Sequence, residues 1–143
     1  MGVELESPKE FKAVMDEVFA LMSEDPDMGP KLRDANVPQR FDFDDVDMVV
    51  NVRAGKAGED ANLHWEWSDD VDWEPKVQMK MSAEVAVRYF QGKENIPLAI
   101  ARGSIVIETG DLGRVLDLLP IVAPFHRKWV AILKAEGLEH LLA

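Results

Sequence analysis

The sequence predicts an α+β domain of about five strands with helices gathered on one face. Two observations carry this. Between Arg40 and Trp67 apolar residues recur with period two, and on either side of that block they recur at helical spacing behind recognisable caps. A third is the absence of any repeat or linker, so the 143 residues read as a single domain over 1–143.

The first helix opens at Ser7-Pro8-Lys9-Glu10, a capping box with Ser at the N-cap, Pro at the first helical position and Glu three residues after the cap. Phe11, Val14, Met15, Val18, Leu21 and Met22 then form an apolar stripe ending near Ser23, where Asp25-Pro26 stops it. A short helix over Pro30 to Ala35 follows, punctuated by Asn36. Phe41 and Phe43 alternate with Arg40, Asp42 and Asp44. Met48, Val50 and Val52 alternate with Val49, Asn51 and Arg53. Ala61, Leu63, Trp65 and Trp67 alternate with Asn62, His64 and Glu66. Alternation with one polar side predicts an antiparallel sheet covered on one face. Gly55 to Asp60 supplies a hairpin, and Ser68 to Pro75 an acidic loop carrying Trp73.

A fourth strand is predicted over Lys76 to Met81, with Val77, Met79 and Met81 inward. Ser82 caps a helix that Gly92 ends. Ile96 to Ala101 makes a short helix or turn, Ile105 to Ile107 a fifth strand, and Asp111 caps the last helical region. Pro120 and Pro124 are expected to interrupt or kink that region, because neither donates a backbone hydrogen bond. A further helix is expected from about Phe125 to Gly137.

Composition narrows the function. Apolar residues are 47% of the chain, which argues for a packed core over disorder. There is no cysteine, so disulfides and thiolate metal sites are excluded. The net charge of −11 argues against nucleic acid, whose affinity for proteins comes largely from Lys and Arg. That charge is uneven. Residues 1–74 carry 7 basic and 20 acidic side chains, a net of −13, and residues 75–143 carry 9 and 7, a net of +2. At most transient membrane contact is expected, through the second half. MGVELESPKE shows no export signal, no stretch is apolar enough to cross a bilayer, and a cytoplasmic location is expected.

No motif for chemistry stands out. The acid run Asp42-Phe-Asp44-Asp45-Val-Asp47 fails the calcium-loop pattern at its fifth and sixth positions. His64, His126 and His140 form no zinc pattern, and no metal site is expected. No cofactor is expected either. The uncharged, proline-bearing run from Leu118 to Phe125 reads as core or as pocket lining.

Met81-Ser82-x-Glu84, Gly92-Lys93-x-Asn95, the stretch AIARGSIVI, Gly110-Asp111 and Leu118-Leu119-Pro120 occur in the order seen in the sterol carrier protein 2 (SCP2) family, which this chain resembles from about Phe11 to Leu133. The missing Ser-Lys-Leu tail resembles a bacterial-type stand-alone member. The resemblance implies a five-stranded, mixed and mostly antiparallel sheet with a hydrophobic tunnel between sheet and C-terminal helices. It also implies a non-catalytic carrier of a sterol, fatty acid, acyl-CoA or phospholipid. The expected lining is Trp65, Trp67, Met79, Met81, Phe90, Leu98, Ile105, Leu116, Leu119, Ile121, Val122, Phe125 and Trp129, with methionine letting the wall adapt to several ligands. Two other readings remain open: an accessory domain with a filled cavity that meets a protein partner, and an enzyme for a hydrophobic small molecule using His126 or Glu108 as acid or base.

Overall fold

The computed structural model describes residues 3–143, so Met1 and Gly2 of the expected domain lie outside it. The chain runs through α1 (Pro8–Glu24), α2 (Met28–Ala35), β1 (Gln39–Phe43), β2 (Met48–Ala54), β3 (Leu63–Glu66), β4 (Val77–Met81), α3 (Ala83–Phe90), α4 (Ile96–Arg102), β5 (Ile105–Thr109) and α5 (Leu112–Ala135), with a closing 3₁₀ turn at Glu139–Leu141. The five strands form one sheet in the order β3-β2-β1-β4-β5. The β1–β2, β2–β3 and β4–β5 pairs are antiparallel and β1–β4 is parallel, so the sheet is mixed and mostly antiparallel.

The caps at Ser7, Ser82 and Asp111 act as the sequence predicts, and a fourth stands at Asn95. Ser7 Oγ accepts from Glu10 N–H at 3.1 Å, Ser82 Oγ from Val85 N–H at 3.1 Å and Asn95 Oδ1 from Leu98 N–H at 3.0 Å. Asp111 Oδ1 caps α5 through Gly113 N–H at 2.8 Å. The capping box of α1 closes one residue early. Glu10 Oε1 accepts from Glu6 N–H at 2.9 Å, while its other oxygen, Oε2, meets His140 Nε2 at 2.9 Å. The chain ends therefore converge, and Glu4 N–H donates to the His140 carbonyl at 2.8 Å. Gln91, 3% exposed, holds the tail with both ends of its amide, donating to Leu141 O at 2.6 Å and accepting from Ala143 N–H at 3.0 Å.

One apolar cluster runs from Phe11 to Leu141 and fills the space between the sheet and the helices. The opposite face of the sheet is more sheltered than strict alternation predicts. Asn51 is 1% exposed and donates to Ser68 O at 2.6 Å, because the acidic loop folds back over β2. Trp73 of that loop stacks 5.3 Å over the Arg53 guanidinium, which also grips Glu59 at 2.9 and 3.1 Å. The acid run after β1 is partly structural: Asp45 Oδ1 accepts from Ala83 N–H at 2.9 Å, at the start of α3.

The C-terminal region departs from expectation. Pro120 and Pro124 do not divide it, and α5 is one helix of 24 residues with both prolines inside. Four residues apart, they share the solvent face, with Ala123 and Arg127 also exposed. The carbonyls of Leu116 and Pro120, which lose their helical donors, lie on the side where water reaches them. No helix among the described residues is long and apolar enough to cross a membrane.

Candidate functional site: the cavity between sheet and helices

Every element that reaches the space between sheet and helices contributes inward side chains there. Helix α1 brings Phe19 and Met22, and α2 brings Leu32. Val37, Gln39 and Phe41 come from the entry to β1 and from the strand itself, Val52, Arg53 and Ala54 from β2, and Leu63 from β3. Tyr89 and Phe90 end α3, and Leu118 and Val122 lie one turn apart on α5. They leave a cavity of about 40 Å³. That volume is room for water or one small group, not for an acyl chain.

The rest of the space is filled by the protein's own rings. Phe19 approaches Phe90 at 6.0 Å, Phe41 at 6.3 Å and Trp65 at 5.7 Å, and Phe41 meets Phe90 at 6.5 Å. A second group joins Phe11, Phe43 and Trp67, with Phe11 edge-on to Phe43 at 4.8 Å. Such edge-to-face and tilted contacts are favourable geometry for aromatic pairs.

Of the expected lining residues, Phe90 and Val122 border the cavity. Trp65 and Trp67 lie outside the lining, half-buried, and both give their indole N–H to Asp16 Oδ1, at 3.0 and 2.7 Å. Met79, Met81 and Ile105 are buried in the sheet's inner face at 1–2% exposure. Phe125 and Trp129 are buried one turn apart on α5 with their rings stacked at 6.0 Å. Leu119 and Ile121 pack half-buried against the core. Leu98 and Leu116 are 45% and 38% exposed and face solvent. Sequence reasoning placed the site under the proline run. Helices α1 and α2 and strand β1 also border the cavity, through Phe19, Met22, Leu32 and Phe41; of these the sequence marks Met22 and Phe41 as inward and leaves Phe19 and Leu32 unassigned.

The electrostatics around the cavity are quiet. Burial pushes the Tyr89 phenol up to about 12. Burial raises the Asp16 carboxyl, but the hydrogen bonds from Trp67, Trp65 and Lys12 outweigh it and hold it below the usual carboxylate range. His126 is half-buried on α5, outside the lining, and burial lowers its pKa. Its ring lies against Gly92, and a Cβ there would stand 2.6 Å from Nδ1. Glu108 is exposed on β5. Among the described residues, one group of potential metal ligands converges, Glu6, Glu10 and His140 at the joined chain ends, and none of these borders the cavity.

No family model matches this sequence, and no curated protein matches it. Solved structures do. The sterol carrier protein 2 from Yarrowia lipolytica, in its apo form, superposes with a TM-score of 0.59 at 12% identity, over 88% of this chain and 98% of that one. The UbiJ-SCP2 ubiquinone synthesis protein gives 0.57 at 9% identity, over 83% and 93%. The stereoselective inverting sec-alkylsulfatase from Pseudomonas sp. gives 0.60 at 16% identity over 75% of this chain, which spans only 16% of the sulfatase. A five-stranded β3-β2-β1-β4-β5 sheet with its helices packed over an apolar inner face is thus the sterol carrier protein 2 fold, and this chain has it.

Proposed function

We propose that the chain is a non-catalytic domain that binds a small hydrophobic molecule between its sheet and its helices. The observation that carries this is the cavity itself, walled almost entirely by apolar side chains from α1, α2, β1, β2, β3, α3 and α5. Its small volume means that a ligand enters by displacing a wall. Helix α5 is the wall best suited to move. It contributes only Leu118 and Val122 there, and its hydrogen-bond ladder lacks two donors at Pro120 and Pro124. The likeness to a sterol carrier protein supports sterols among the candidate ligands. The net charge of −11 weighs against nucleic acid.

Native mass spectrometry of freshly purified protein, with thermal melts against medium-chain alcohols, fatty acids and sterols, tests this. A ligand at 100 times its Kd stabilises by about 2.7 kcal/mol, a shift that a melt resolves. Protein that carries no lipid and melts at one temperature with every ligand sinks the carrier reading.

A second reading is favoured by the same small volume and by the alkylsulfatase match, in which this fold is part of a longer chain. Here the domain is an accessory module whose core stays shut and whose surface meets a protein partner. Unchanged melts together with a stable complex captured through the acidic face of residues 41–74 support it.

A further inference from the structure

Two polar side chains at the cavity wall make no hydrogen bond with the described residues. Tyr89 is 7% exposed, lines the cavity, and its hydroxyl makes no hydrogen bond with the described residues. Gln39, half-buried, lies on the inward side of β1, in step with Phe41 and Phe43, and its amide likewise makes none. Water can reach both groups and satisfies them in the empty cavity, so a ligand that displaces this water must replace its hydrogen bonds. The cavity has the volume for that.

The third polar residue at the wall is already engaged. Arg53 alternates with Val52 and Ala54, so its side chain leaves by the far face of the sheet. There it holds Glu59 through two nitrogens and donates to Ala54 O. The other lining residues are apolar. A ligand carboxylate or phosphate that entered would lose its water and meet no cation, which is strongly unfavourable.

Resting on the binding reading above, we infer that the cavity selects uncharged apolar molecules bearing one hydrogen-bonding oxygen (an alcohol, ketone or ester), held by Tyr89 and Gln39, and rejects free carboxylates. Tyr89 donates to that oxygen and Gln39 either donates or accepts. The phenol, pushed up to about 12, stays a donor across the physiological range. A site built this way discriminates through its own unpaired groups: a ligand lacking the oxygen leaves them unsatisfied.

Tyr89 is the only tyrosine in the sequence, so a ¹³Cζ-tyrosine label gives a single NMR signal from the site. The experiment titrates wild type, Tyr89→Phe and Gln39→Leu with 1-octanol, octanoate and 1-octene, by calorimetry and, for wild type and Gln39→Leu, by that signal. The expected result is that 1-octanol binds wild type tightest and moves the Tyr89 signal. Tyr89→Phe should weaken octanol by about threefold to tenfold and bind octene more tightly than wild type does, because the hydroxyl that octene leaves unsatisfied is gone. Octanoate binding as tightly as octanol, or octanol binding Tyr89→Phe as tightly as wild type, overturns the selectivity while the binding reading stands. Failure of all three ligands to bind wild type overturns both. If Gln39→Leu does not fold, Tyr89→Phe, which keeps the ring, and the wild-type signal still decide.

Discussion

The indole N–H of Trp67 donates to Asp16 Oδ1 at 2.7 Å, tying the end of β3 to the middle of α1. The same oxygen takes the Trp65 indole at 3.0 Å, and Lys12 reaches Oδ2 at 3.2 Å while lying 5.4 Å over the Trp67 ring. One carboxylate thus satisfies two half-buried donors. Asp16→Leu should cost about 1–3 kcal/mol, since hydrogen bonds to a charged acceptor are worth about 1.5–3 kcal/mol each and water replaces part of that at half-buried donors. For a domain of this size that is a melting-point drop of roughly 3–9 °C. Asp16→Asn, which keeps an accepting oxygen, should lose less. Thermal melts with tryptophan emission check both; a melt unchanged in Asp16→Leu refutes the tie.

Two histidines should pull the stability of the fold in opposite directions near neutral pH. His140 has its pKa raised by the hydrogen bond with Glu10, against a smaller opposing effect of burial. Its contribution is complete below pH 6.5 and fades as pH rises through the raised folded-state value. His126 has its pKa lowered by burial, so its contribution is complete above pH 6.5 and fades as pH falls toward the lowered value. Denaturant unfolding across pH 5–8 should show His140→Gln gaining stability with rising pH more steeply than wild type. His126→Gln should show the reverse, and parallel curves for all three proteins rule out both effects.

Gly92 and Gly103 both sit at positive φ, +72° and +79°, at the ends of α3 and α4. They differ in surroundings. A Cβ at Gly103 meets nothing within 4 Å, whereas at Gly92 it meets the His126 ring at 2.6 Å. Gly103→Ala should therefore cost only the left-handed strain of about 1–2 kcal/mol. Gly92→Ala should cost more, with the excess relieved in a Gly92→Ala/His126→Ala double mutant. Chemical denaturation of the four proteins measures it, and equal losses for the two single glycine variants refute the contact.

Restoring the missing donors of α5 should stiffen the wall over the cavity. In Pro120→Ala/Pro124→Ala the new N–H groups reach the Leu116 and Pro120-position carbonyls. An interior proline is about 3 kcal/mol worse than alanine, so even the solvent-facing pair should yield a gain of at least about 1 kcal/mol. Amide exchange over residues 114–128 should slow, and ligand uptake should slow with it. Unchanged exchange there means the prolines do not set the opening of α5.

The elements were legible because their signals are local. Ser7-Pro8-Lys9-Glu10, Ser82 and Asp111 sit where backbone N–H groups need acceptors, and the alternation around Phe41, Val50 and Leu63 identifies the buried side of the first three strands. Local rules went astray at the prolines. Proline ends a helix where its loss of a donor is exposed to apolar packing, but Pro120 and Pro124 both face water, so α5 continues. Whether they faced water depended on Val115, Leu118, Val122, Phe125 and Trp129 all finding the core on the other side.

The order of strands and helices, the inward residues of each strand and the acidic balance of the first half are properties of the chain read by itself, since capping and periodicity involve neighbours within a few residues. The cavity is not. Its walls come from Phe19 to Val122, over a hundred positions, and its volume is what remains after Phe19, Phe41 and Phe90 close on one another. The space between side chains is set by how distant surfaces interlock to crystal-like density, and no stretch of sequence carries that information alone.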